Sequence, residues 1–362
     1  MKTEPVCRGL LALWLVLSLA GCDQDAAAPQ GFAGLGNEAA AFAPVLPGRR
    51  FSFPADHGPH DGFRIEWWYL TADLKDAEGR RFGVQWTLFR SALRAAPEQP
   101  GWSAPLVWLG HAAATSASSH HAAERYARGG VGQAGVTAQP FQAWIDDWRF
   151  DSLSSSDNPL ARMQVQASGP GFAYRLQLSS SRPLVLQGEG GYSRKSDQGQ
   201  ASYYYSQPFF QATGQLQIDG QRYEVSGPAW LDREWSSQPL AADQSGWDWF
   251  SLHLDSGERL MLFRVRQDGH APYITGTWIN ADGSTQSLGR EQIRMTALDT
   301  ALVEGRRLPI AWQLNIPDKG LDIRTRALNP QSWMQLSIPY WEGPVTLEGS
   351  HGGSGYLEMT GY

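Results

Sequence analysis

The sequence predicts an all-β protein: two copies of one β-domain in tandem, short strands folded into barrels or sandwiches, and little helix. Three observations carry this. Apolar and polar residues alternate with period two through much of the chain, as half-buried strands require. Gly, Asp and Asn turns separate these stretches. An aromatic-headed hairpin also occurs twice, about 180 residues apart, as a duplicated domain would produce.

Taken from the N-terminus, the chain opens with a targeting signal. Lys2 and Arg8 form a basic head, and residues 10–19 (LLALWLVLSL) are an apolar run too short to span a bilayer permanently. The run ends in Leu19-Ala20-Gly21-Cys22, which is similar to a bacterial lipobox. That motif implies a signal peptide over 1–21, cleavage before Cys22, and acylation of both its thiol and its new amino group. Two or three acyl chains hold a protein on a membrane where one would not. Asp23 resembles the residue that retains enteric lipoproteins on the inner membrane. The expected location is therefore the cell envelope, anchored and facing the periplasm. A polar Ala/Gly-rich tether follows, over 22–46.

The first β-domain is expected over 47–228. It opens with Glu66-Trp67-Trp68-Tyr69 and the hairpin that ends in Leu88-Phe89-Arg90. Phe172, Tyr174, Leu176 and Leu178 alternate with polar or small neighbours, and Asp219-Gly220 joins two strands as a hairpin. The second domain, over 229–362, contains the echo: Trp247-Asp248-Trp249-Phe250 and a hairpin that ends in Leu262-Phe263-Arg264. Asp282-Gly283 marks a further turn. Short helical turns are expected only near 118–128 and 290–298.

Composition narrows the function. The two cysteines, Cys7 and Cys22, leave the rest of the chain with neither disulfide nor catalytic thiol. A formal charge of −6 argues against nucleic acid, and against binding an anionic surface by general electrostatics. Sixteen tryptophans favour a wide core or a greasy cavity. No Gly-x-Ser-x-Gly elbow, P-loop or Gly-x-Gly-x-x-Gly is present, so neither a serine hydrolase nor a nucleotide cofactor is indicated. The histidine clusters, His57 with His60 and His120 with His121, lack the spacing of a zinc motif; no metal or other cofactor is expected.

The chemistry-bearing candidates lie at the head of each domain. In a strand Asp232 and Glu234 share a face, and crowded buried carboxyls keep a proton near neutrality, as a general acid must. The same pair also reads as an ion-paired structural cluster in which Arg233 neutralises a neighbour. Glu66, leading into Trp67 and Tyr69, suits a cavity rim that holds a polar head, or a core strand with a paired Glu. Tyr203 and Tyr205 share a strand face and offer phenols to a ligand, or simply pack. With Trp235 and the echoed Trp247 and Trp249, these make up the expected ligand-facing set.

Glu66-to-Tyr69, residues 199–206 (GQASYYYS), 230–237 (WLDREWSS), 246–250 (GWDWF), 260–264 (LMLFR), 340–343 (YWEG) and 355–362 (GYLEMTGY) together resemble the AttH-like lipoprotein and carotenoid 1,2-hydratase family. The resemblance runs from about residue 50 to the C-terminus and implies two tandem lipocalin-like (calycin) antiparallel β-barrels. It also implies a hydrophobic ligand (isoprenoid, polyene or lipid) and, for some members, an ABC-transporter permease as partner. The family's commonest junction motif has histidine where this chain has Arg233, and a guanidinium cannot shuttle a proton at neutral pH. On that ground a ligand-binding lipoprotein is the first reading. The alternative is a hydratase- or cyclase-type enzyme in which Asp232 or Glu234 protonates an isoprenoid double bond and an aromatic face such as Trp235 stabilises the cation.

Overall fold

The computed structural model describes residues 41–95, 100–154 and 158–362. Cys22, Asp23, the 1–21 segment and most of the tether lie outside the described residues. Within them the chain is two antiparallel sheets, a barrel and a half-barrel in lipocalin-like tandem, and only two 3-10 turns, Ala55–His57 and Pro317–Lys319, interrupt the β-structure.

The duplication is visible in the topology. In the first sheet the hairpin Ile65–Lys75/Arg81–Ala92 continues into Leu106–Ser116, while Ile65–Lys75 also pairs with the last strand of that sheet, Gln221–Ser236. In the second, the hairpin Gln244–Leu254/Arg259–Gln267 continues into Tyr273–Ile279, while Gln244–Leu254 pairs with the last strand, Gly353–Thr360. In each sheet the head hairpin is thus locked by the segment furthest from it in sequence.

The expected turns are present. Ile218 pairs with Gln221 around Asp219-Gly220, and Ile279 pairs with Thr285 around Asp282-Gly283. Two expectations need correction. Residues 118–128 and 290–298 are not helical: His120–Arg128 and Arg294–Val303 are edge strands. Alanine and charged residues favour a helix there, but pairing with Leu106–Ser116 and Arg306–Ile316 overrides that weak preference. The boundary also moves. The chain leaves the first sheet after Ser236 and enters the second at Gln244, so residues 229–236 complete the first unit rather than open the second. Gly227-Pro228 reads as a turn, but it is accommodated inside a long strand, with Gly227 paired to Ala212.

Each unit has its own apolar core, around Trp86, Trp148 and Leu176 in the first and Phe250, Trp312 and Leu357 in the second. A third cluster joins them: Tyr69, Tyr204 and Trp230 from the first unit pack against Trp249, Phe263 and Tyr356 from the second. At one end of this junction the sheets touch. A methyl on Gly83 would lie 2.3 Å from the Tyr356 hydroxyl and 2.7 Å from Pro344, so only glycine admits that approach. At the other end they part.

Candidate functional site

Where the sheets part lies a cavity of about 160 Å³. One wall is the first sheet. Trp67 pairs with Glu234, Tyr69 with Asp232, and Tyr204 with Glu234, so strand alternation brings all five side chains to one face. The facing wall carries Trp247, Trp249, Phe263, Tyr340 and Glu358, and Phe89, Leu109, His111 and Lys195 also line the cavity. The surface is mostly apolar and rich in aromatic rings, with a few polar groups set into it.

Those polar groups are held tightly. Asp232 accepts from Ser206 Oγ (2.5 Å) and Trp230 Nε1 (2.6 Å) on one oxygen and from the Tyr204 hydroxyl (2.6 Å) on the other. Burial pushes its carboxyl up; the three donors pull it back, the Glu234 charge adds to the rise, and the balance lies at about 7. Glu234 sits 2.8 Å from the Lys195 ammonium, which also lies over the Tyr204 and Phe263 rings. Glu358 accepts from Trp247 Nε1 (2.5 Å); burial raises its carboxyl, and the charges of Asp232 and Glu234 raise it further. Glu342 lies just behind the lining. It accepts from the Tyr69 hydroxyl (2.5 Å), and burial, followed by the Glu358 charge, raises its carboxyl well above the usual carboxylate range. His111 Nδ1 is 3.0 Å from the Tyr340 hydroxyl, and burial drives the imidazole down to about 3, so it is neutral. The cavity therefore holds three carboxyls against one ammonium in an apolar surround. Such a site retains at least one acidic proton near neutral pH.

Of the residues singled out from sequence, Trp67, Tyr69, Asp232, Glu234, Trp247 and Trp249 line this cavity. Glu66, Tyr203, Tyr205 and Trp235 do not; they occupy the opposite face of the same strands. Glu66 is completely buried there, bound by Arg233 Nη2 (2.5 Å), His60 Nδ1 (3.1 Å) and Arg90 Nη1 (3.3 Å). Burial would raise its carboxyl, but the Arg233 guanidinium, then His60 and Arg90, overcome this and hold it at about 2. Trp235 stacks flat on His60, with ring centroids 3.9 Å apart. Tyr203 bonds the backbone of Leu46, and Tyr205 meets His57 Nδ1 at 2.7 Å. This face clamps the segment 46–63 to the sheet. Arg233 belongs to the clamp, with its guanidinium 3.8 Å from the Trp68 ring centre and pointing away from the cavity. Arg233, where the resemblance leads one to expect histidine, therefore stands outside the cavity.

Tyr204, Glu358, Glu342, Tyr340, His111 and Lys195 carry no local signal that marks them as site residues. Tyr204 is the middle of the tyrosine triplet, one step out of phase with Tyr203 and Tyr205. Tyr340, Glu342 and Glu358 lie within the YWEG and GYLEMTGY stretches that carry the family resemblance. Among the described residues no group of three or more His, Cys, Asp or Glu could hold a metal ion.

A model of a family described as AttH-like matches residues 44–362. Among solved structures, a protein assigned as an AttH from Nitrosomonas europaea is 32% identical, covers 89% of this chain and 99% of its own, and superposes with a TM-score of 0.78. Two more distant structures share the fold. Kievitone hydratase from Nectria haematococca has 14% identity, coverage of 88% and 96%, and a TM-score of 0.66. CghA, solved with Sch210972, has 12% identity, coverage of 90% and 97%, and a TM-score of 0.55. No curated protein matches by sequence.

Proposed function

The chain belongs to the AttH-like family, and from that premise we propose that it is an envelope lipoprotein whose inter-sheet cavity binds a hydrophobic small molecule, an isoprenoid, polyene or lipid chain. The observation that carries this is the aromatic wall of the cavity: Trp67, Phe89, Trp247, Trp249 and Phe263 offer a long apolar ligand extensive contact. The anchoring rests on the lipobox at Cys22, with the periplasm-facing inner membrane as the location. A role as accessory to an ABC transport system follows from the family resemblance. Native mass spectrometry of the protein extracted from its own envelope tests the reading: a co-purifying hydrophobe supports it, and an empty protein that also binds no added isoprenoid refutes it.

A specific observation favours a second reading, hydratase-type catalysis in the same cavity. Asp232, held at about 7 among aromatic faces, is a proton donor where an alkene would lie. Its proton would add to one alkene carbon, and the tertiary cation left at the other would be stabilised by an aromatic face such as Trp249. Water would then add, and the resulting oxonium would return a proton to the Asp232 carboxylate. With Arg233 facing away, the first objection to this chemistry falls, and a hydratase among the structural neighbours is consistent with it. Turnover of the extracted ligand to a product heavier by one water, lost in Asp232→Asn, separates catalysis from binding.

A further inference from the structure

We infer that the end of the molecule bearing the cavity mouth docks against the bilayer surface, so that hydrophobic ligands pass directly between membrane and cavity. This rests on the lipoprotein reading for the anchor and goes beyond it in fixing which surface meets the lipid.

Four features converge on that end. The first is the mouth itself. Ile65 and Ser91 line the cavity and pair with each other where the first sheet ends, and Ile65 also pairs there with Ser236. Trp67 and Phe89, one step further in, are half-buried rather than sealed. The opposite end is shut by the Gly83–Tyr356–Pro344 contact.

The second is exposed apolar surface. From the same sheet edge, where Ala92 pairs with Leu106, rises a connection tied by Leu93 N–H to Pro105 O (2.9 Å) and Gly101 N–H to Gly130 O (2.7 Å). It presents Leu93, 64% exposed, and Trp102, 74% exposed, the most exposed large apolar side chain among the described residues. Neither contributes to a core, and water is a poor solvent for both. A tryptophan and a leucine beside a cation suit the headgroup boundary of a bilayer, where an indole has apolar and polar surroundings at once.

The third is charge. Arg94 is exposed beside Leu93, and Arg128, paired with Val107 at the same edge, is exposed too. Two guanidiniums at this edge offer contacts to headgroup phosphates, beside Asp61, which is paired with Arg90 at the same end.

The fourth is where the anchor segment departs. Ala43 N–H bonds Gly62 O (2.8 Å), Ser237 Oγ donates to Ala43 O (2.6 Å), and Arg64 Nε donates to Ser237 O (2.8 Å). The described chain thus begins beside Ile65 and Ser236, at the mouth end. An anchor joined there holds the mouth nearer its point of attachment than the far turn at Ala77, which the strand Ile65–Lys75 places roughly 35 Å further away.

The test uses the full chain, matured and reconstituted in phosphatidylcholine/phosphatidylglycerol vesicles. After the signal segment Cys22 is the only cysteine, and acylation blocks it, so an introduced cysteine takes a fluorescent label alone. Labels are placed at Ala95→Cys and Ser103→Cys, which leave Leu93 and Trp102 in place, and at Ala77→Cys as the far-end reference; all three positions are exposed, so the core is untouched. Docking is expected to blue-shift the labels at 95 and 103, to let brominated lipid quench them, and to shield them from aqueous iodide, with none of these effects at 77. If the protein sediments with the vesicles and all three labels are equally open to iodide, docking is overturned and the lipoprotein reading stands. If it does not sediment, both fall. If labels 95 and 103 are shielded in native membranes but not in pure lipid vesicles, the surface belongs to a protein partner and docking on lipid is overturned.

Discussion

Replacing Asp232 with asparagine removes the group on which the acid reading depends, and its effect on stability has a definite sign. Below pH 3.8, the ordinary value for the carboxyl, it is protonated whether the chain is folded or not. Between 3.8 and about 7 the unfolded chain releases the proton while the folded chain keeps it. The unfolded state then binds fewer protons, and stability falls as pH rises. Above about 7 the carboxyl is ionised in both states and the full penalty is present. A displacement from 3.8 to about 7 corresponds to on the order of 4 kcal/mol. Asparagine does not titrate. Its carbonyl keeps the Ser206 and Trp230 bonds, and the Tyr204 hydroxyl can turn to accept from its amide. Urea midpoints of wild type and Asp232→Asn, followed from pH 4 to 8, should therefore diverge in favour of the variant by several kcal/mol as pH rises. A constant difference across that range would mean that Asp232 is ionised throughout, and the proton-donor role would be withdrawn.

Four further outcomes are expected, the first three from the geometry and the last from the lipobox. Arg233→Met leaves Glu66 buried beside weaker partners and should cost about 3–5 kcal/mol in denaturant unfolding, yet leave ligand occupancy of the folded protein unchanged. The stability that Glu66 contributes should fade as pH drops from 4.5 towards about 2, which acid titration of wild type against Glu66→Gln would reveal. Trp67→Ala and Trp249→Ala should each weaken binding of the extracted hydrophobe by about 2–3 kcal/mol, measured by fluorescence titration, whereas Tyr203→Phe should not. Cys22→Ser should abolish palmitate labelling and release the protein from membranes; continued labelling would refute the lipobox.

The fold was legible because hairpins announce themselves locally: alternation through Phe172–Leu178 and the Asp219-Gly220 turn need only a short window of sequence. The site was legible in part. Period two says correctly that Trp67 and Tyr69 share a face, and that Asp232 shares one with Glu234. It does not say which face meets the cavity. That phase is usually read from one polar and one apolar side, but Leu70 to Leu74 are buried on both. Tyr203 and Tyr205 share a face as the period says, but the face that meets the cavity is that of Tyr204. Glu342 is a different matter. It reaches Tyr69 across 273 positions of sequence, and no local pattern encodes that meeting.

The alternation of faces on the strand Gln221–Ser236 also bears on how such a protein can diversify. On that strand Arg233 and Trp235 serve the clamp, Asp232 and Glu234 serve the pocket, and Val225, Ala229 and Leu231 serve the core of the first unit, so a substitution at 232 or 234 acts on the face opposite the clamp. A lineage can retune the pocket for a new ligand through Asp232, Glu234 or Trp67 while the clamp that keeps the chain folded goes untouched. Conversely, a histidine-to-arginine exchange at 233 is a change of clamp, with Glu66 and His60 as the residues that must accommodate it. Chains of this family that differ at 233 can thus share one chemistry, and chains identical there can differ in it. The composition of the cavity face, rather than the junction motif as a whole, is the feature by which such relatives should be sorted.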